Sequence, residues 1–167
     1  EFTDLEVLVD GFRDAAGNTI DAVTFADLFS IDTKRPSVLS ATPSTMMVTD
    51  AQAGQDGLLV QVAFSEPMDQ SVTPLVQPSG EASLAGTFLY SPGTSSWLSN
   101  TLFEAAFDVT DAGVEVQDVG FNVGIAQDAA GNSTLPGSAV ATTLSVDTRN
   151  PLLQTLTADP SAVTDSD

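Results

Sequence analysis

The chain has neither histidine nor cysteine, so acid–base and metal chemistry fall to its carboxylates. Aspartate and glutamate together number 23 against 4 lysines and arginines, a formal charge of −19. Without imidazole or thiolate, Ser-His-Asp and Cys-His nucleophilic systems are impossible, as are zinc sites of the nitrogen and sulfur type. Two kinds of carboxylate chemistry remain. Glu66 with Asp69, or Glu104 with Asp108, could run glycoside hydrolysis if one acid were raised in pKa and the pair stood about 5 to 9.5 Å apart. Alternatively, hard oxygen donors drawn from several loops could hold Ca²⁺, which takes about 6 to 8 oxygens at roughly 2.3 to 2.6 Å. The acids are mostly aspartates that fall singly in loops instead of in one run, which points away from an acidic tail and towards either solvation in high salt or bound cations.

Which carboxylates can meet depends on the elements that carry them, and the chain repeats itself. Asp14-Ala-Ala-Gly-Asn18 returns 114 residues later as Asp128-Ala-Ala-Gly-Asn132. Ser30-Ile-Asp-Thr33 with Pro36 returns 115 residues later as Ser145-Val-Asp-Thr148 with Pro151, and Val48-Thr-Asp50 as Val163-Thr-Asp165. A fixed internal period is the mark of a repeat array. The expected organisation is the end of one repeat at 1–32, a complete repeat at 33–149, and the first strand of another at 150–167.

Within the complete repeat the signals are short alternating runs separated by Gly, Pro, Ser, Asn and Asp. Leu58, Val60, Val62 and Phe64 lie on one face of a strand, as do Phe103, Ala105 and Phe107, and Val119, Phe121, Val123 and Ile125. Strands are predicted at 37–41 (A), 58–65 (B), 72–77 (C), 84–90 (D), 101–109 (E), 119–126 (F) and 138–147 (G). The expected class is all-β: an immunoglobulin-like Greek-key sandwich of about seven strands. No segment has a helical period. The 42% apolar content is enough to bury a core. The 1–32 segment then reads as an F–G hairpin, and since an isolated hairpin is marginal in water it is expected to pair with a neighbouring copy.

Two stretches carry a resemblance. Asp118-Val-Gly-Phe121 through Asp128-Ala-Ala-Gly-Asn132 to Val146-Asp-Thr-Arg-Asn-Pro151 resembles the F–G region and linker of bacterial immunoglobulin-like (Big-type) tandem repeats. Val62-Ala-Phe-Ser-Glu-Pro-Met-Asp69 with Gly86-Thr-Phe-Leu-Tyr90 is similar to related modules of surface-layer proteins and giant adhesins. Phe121 departs from the pattern, because such domains often have Tyr there. The resemblance implies a non-catalytic extender module of a large bacterial surface or secreted protein, stiffened by calcium at module junctions, with an extracellular or cell-surface location and a role in adhesion or biofilm.

In such a sandwich the incoming linker passes over the B–C, D–E and F–G loops. Asp32, Glu66, Asp69, Asp128 and Asn132 are therefore predicted to converge at the upstream junction around a calcium ion, since without a cation their charges would repel. Asp50, Asp111, Asp118 and Asp147, with Asp56 nearby, form a candidate second group at the downstream junction, which the next repeat would complete. The local alternative is that the Asp and Asn of the D-A-A-G-N turns cap the turns through side-chain to backbone bonds.

The partners expected are adjacent repeats of the same polypeptide. A charge of −19 opposes nucleic acid, and no apolar run approaches the roughly 18 residues of a membrane span. A competing reading makes the chain a carbohydrate-binding or enzyme-accessory module, with Trp97, Tyr90 and Phe88 as a stacking platform for a sugar.

Overall fold

A computed structural model describes residues 2–80, 84 and 86–157; the predicted recurrence at Val163-Thr-Asp165 lies outside the described residues, as does part of the predicted final strand. Strands β1 (Phe2–Val9) and β2 (Val23–Ile31) form a two-stranded antiparallel sheet. The remaining strands are β3 (Val38–Pro43), β4 (Met47–Val48), β5 (Gly54–Phe64), β6 (Val76–Ser79), β7 (Phe88–Tyr90), β8 (Ser96–Ser99), β9 (Leu102–Val109), β10 (Glu115–Val123) and β11 (Ser138–Asp147). They make two sheets, one ordered β3-β5-β9-β7 with β8 also on β9, the other β4-β11-β10-β6. Pairing is antiparallel except for β4, which runs parallel to β11.

Alternation along the strands explains why the sheets stack. Leu58, Val60, Val62 and Phe64 of β5 join Phe103, Ala105 and Phe107 of β9 in one buried cluster with Val119, Phe121 and Val123 of β10 and Leu144 and Val146 of β11. Phe107 stands at its centre, 5.8 Å from the Phe121 ring across the two sheets and 5.6 Å from Tyr90. The result is an all-β sandwich with one core between its two sheets.

The structure moves some predicted elements. The strand predicted at 72–77 is displaced to Val76–Ser79, because the carbonyls of Val72 and Pro74 accept hydrogen bonds from the Trp97 indole N–H (3.1 Å) and the Tyr90 hydroxyl (2.8 Å). Of the strand predicted at 84–90, only Phe88–Tyr90 is regular among the described residues. After a turn at Pro92–Thr94 the same edge of β9 is taken up by β8, which the sequence had as loop. Strand β4 and the 3-10 turn Asp50–Gln52, whose start is a capping box between Thr49 and Gln52, were also unanticipated.

Gly57 shows how tightly that turn sits on β5. A Cβ at Gly57 would fall inside contact distance of the Gln52 carbonyl oxygen and lie 3.1 Å from a Val109 methyl. Because the obstacle is backbone, Gly57→Ala is expected to destabilise the protein by about 2 kcal/mol, measurable by urea denaturation as a lowered midpoint with unchanged slope.

The repeat seen in sequence is a repeat in three dimensions. Residue pairs Phe2/Ile31, Leu5/Phe29, Val7/Phe25, Leu8/Thr24 and Val9/Val23 of the hairpin match Val116/Val146, Val119/Leu144, Phe121/Val140, Asn122/Ala139 and Val123/Ser138 of β10–β11. Register breaks fall at the same two places in both. Asp4 and Asp118, equivalent under the shift, both adopt left-handed backbone at φ 57° and 56°, a conformation Asp tolerates better than most residues.

Candidate metal centre

The D-A-A-G-N turn between β10 and β11 is organised by its first residue. Asp128 Oδ1 accepts from the Ala130 and Asn132 amides at 2.9 and 2.8 Å, and Oδ2 accepts from the Asn132 side-chain amide at 2.9 Å. The backbone closes the turn through Asp128 N–H to Asn132 O and Gly131 N–H to Asp128 O. The hairpin turn is the same object: Asp14 caps Ala16 and Asn18 at 2.9 and 2.8 Å, and its hydrogen bonds, led by that from the Asn18 side chain, hold its carboxyl below the ordinary value. The capping reading of these motifs is thus realised in both turns. What differs is the surroundings, since Asp14 is exposed and Asp128 is 3% exposed.

Asp128 is buried because two other segments close over it. The loop after β5 is stitched to the turn by a bridge between Met68 and Asp128 and by Asp69 N–H to Gln127 O at 2.8 Å, and Met68 N–H reaches Asn100 O at 2.7 Å. The linker after β2 is stitched to the same loop by Ser37 N–H to Ser65 Oγ and Ser65 N–H to Ser37 O, both at 2.9 Å. Pro36, buried between them, restricts the linker to an extended path. Asn132 completes the closure by donating to the Asp32 carbonyl at 3.1 Å.

These contacts gather Asp32, Glu66 and Asp128, one from each segment, with a carboxylate oxygen of each within 4.8 Å of the others. At that separation, and with an effective dielectric of about 20, each pair of ionised carboxylates repels by on the order of 3 kcal/mol. The nearby cation is Lys34, whose ammonium lies 3.5 Å from Glu66 Oε1 on a largely exposed side chain. With Glu66 only 13% exposed, this attraction at the shorter distance offsets part of the repulsion and leaves a net negative cluster. Three carboxylates together with water would make a hard oxygen set of the kind Ca²⁺ accepts.

Of the five residues predicted for the upstream junction, the structure brings three carboxylates together and gives Asn132 a positioning task beside them. Asp69 lies on the same loop but outside the group. Its Oδ1 accepts from the Ser71 hydroxyl at 2.7 Å and the Ser71 amide at 2.9 Å, which hold its carboxyl below the ordinary value. Among the described residues, the downstream acids enter no group of three. Asp50 starts the 3-10 turn, Asp111 caps Gly113, and Asp147 caps Arg149 at 3.2 Å. Asp118 occupies the register break in β10, and Asp56 accepts from the Thr94 hydroxyl. Asp147 nevertheless repeats Asp32, which caps Lys34 in the same way at 3.0 Å.

Residues of the other candidate chemistries also have partners within the fold. Glu104 accepts from the Gln61 side-chain amide, and Asp108 accepts from the Asp56 backbone amide. Trp97 packs 5.5 Å from Phe64 and 5.2 Å from Phe103 with its N–H donated to the Val72 carbonyl, so the half-buried indole is a wall of the core, as a lone Trp in a sandwich more often is than a sugar platform. Lys34 was the participant missed, and its sign and its place two residues from Asp32 were the available signal.

No known protein family, curated protein or solved structure matches the chain.

Proposed function

We propose that this protein is a non-catalytic, calcium-stabilised extender module: an immunoglobulin-like Greek-key repeat that joins its neighbours in one polypeptide to form a stalk. The stalk belongs to a large bacterial surface or secreted adhesin and carries a binding region away from the cell. The β3-β5-β9-β7 and β4-β11-β10-β6 division supports the fold, since A-B-E-D facing C-F-G is the immunoglobulin arrangement. The duplicated turn and register support the array. The observation that carries the reading is the convergence of Asp32, from the linker, with Glu66 and Asp128, from two loops of the unit it precedes.

Calcium held there ties the linker to the body of the module, and its removal leaves three like charges that open the joint. Stiffness is then a function of calcium concentration. Extracellular modules bind the ion at roughly 10⁻⁴ to 10⁻³ M. Asp147 offers the same linker carboxylate to the following repeat.

Calorimetric titration of the full chain with CaCl₂ should show one site in this range. Glu66→Gln separates charge from shape: it relieves repulsion, so in chelator it should unfold on the order of 1 kcal/mol less readily than wild type, yet its melting temperature should no longer respond to calcium. An absence of binding heat at millimolar calcium, with identical melts in calcium and chelator, rejects the calcium joint.

A further inference from the structure

The β1–β2 hairpin presents an apolar face. Antiparallel partners project to the same side of a sheet, so Phe2/Ile31, Leu5/Phe29, Val7/Phe25 and Val9/Val23 share one face, and none of these residues is charged. Phe25, Phe29 and Ile31 on that face are 47, 50 and 42% exposed. In β10–β11 the equivalent Val119, Phe121, Leu144 and Val146 are fully buried beneath the sheet that contains β5 and β9.

The side chains indicate what the hairpin is shaped to meet. In the complete unit, Phe121 stands opposite Val140; in the hairpin, Val7 stands opposite Phe25. One phenyl ring and one isopropyl group occupy this cross-strand pair in both, on opposite strands, so the volume offered to the facing sheet is kept while the residues exchange places. In the complete unit that ring meets Phe107 of β9 at 5.8 Å. The register breaks that keep the apolar positions in phase are kept as well.

We infer that the hairpin's apolar face is a docking surface for a second copy of the sheet β3-β5-β9-β7, one not covered by a β10–β11 pair of its own, so that residues 1–32 close a further sandwich of the same kind. This rests on reading 1–32 as the last two strands of another repeat and is independent of whether calcium binds. The partner is an antiparallel sheet with alternating Leu, Val and Phe on its inner face and an aromatic ring opposite the Val7/Phe25 pair.

The test lengthens the full chain, leaving it otherwise intact. Residues 33–114 are duplicated directly ahead of Glu1, so that Val114 of the added segment is followed by Glu1 as it is by Glu115 in the unit. Hydrogen exchange is followed at Phe25, Phe29 and Leu144. In the lengthened chain the Phe25 and Phe29 amides should exchange at least about tenfold more slowly than in the 167-residue chain. Phe29→Asp in the lengthened chain should abolish that gain without changing exchange at Leu144. Unchanged exchange at Phe25 and Phe29 overturns the inference. To show that the added sheet can be covered, the same chain is made with Val7→Phe, Phe25→Val and Phe29→Leu; protection in this variant but not with the native hairpin equally overturns it. So does a 167-residue chain that sediments as a dimer with Phe29 already protected, which would make another hairpin the partner.

Discussion

Asp128→Ala should lower the stability of the complete unit by about 3 kcal/mol and abolish its response to calcium. The carboxylate accepts three hydrogen bonds that organise the turn, two from backbone amides and one from Asn132, and hydrogen bonds to a charged acceptor contribute about 1.5 to 3 kcal/mol each. Relief of repulsion from Asp32 and Glu66 offsets part of the loss, and the bonds fail together, so the net falls well below their sum. Loss of the turn also releases Asn132 from the Asp32 carbonyl, which loosens the linker. Asp14→Ala is the control. It breaks an identical turn in an exposed setting, so the core unit's urea midpoint and its calcium response should both stay where they are. Equal loss of stability from the two substitutions would show that burial and junction contacts add nothing to the turn.

The second large effect is expected from the ion itself. A ligand that binds the folded chain alone stabilises it by RT ln(1 + [L]/Kd), about 2.7 kcal/mol at a hundredfold excess over Kd. Calcium at about 10 mM against a Kd of about 10⁻⁴ M reaches that excess. Thermal unfolding in calcium and in chelator should therefore separate by several degrees, with magnesium giving less because it demands stricter octahedral geometry and dehydrates reluctantly. An equal shift from sodium chloride at matched ionic strength would assign the effect to general screening of a chain of charge −19. In a chain of several repeats, small-angle scattering should show the maximum dimension fall in chelator as joints begin to hinge.

Much of this was legible in consecutive residues. Period-two alternation placed β5, β9, β10 and β11, because a strand with one face in the core must alternate wherever it runs. The recurrence of D-A-A-G-N located two turns that proved alike bond for bond, since Asp caps and Gly supplies positive φ using neighbours in the chain. That the linker meets the loops at the end where it enters followed from strand order, although of the five residues predicted there only the carboxylates of Asp32, Glu66 and Asp128 gather.

Sequence by itself determined that the chemistry available is oxygen-donor chemistry, that the unit repeats, and that its elements are strands, all of which depend on composition or on residues a few places apart. Only the tertiary structure decided which acids gather. Asp69 turns to Ser71, Asn132 commits its amide to Asp32 and Asp128, and the downstream aspartates cap their own loops. Trp97 enters the core through a bond to Val72. A short polar side chain in a loop chooses among donors brought near it by packing, often from tens of residues away, and a difference of about 1 kcal/mol between partners redirects it.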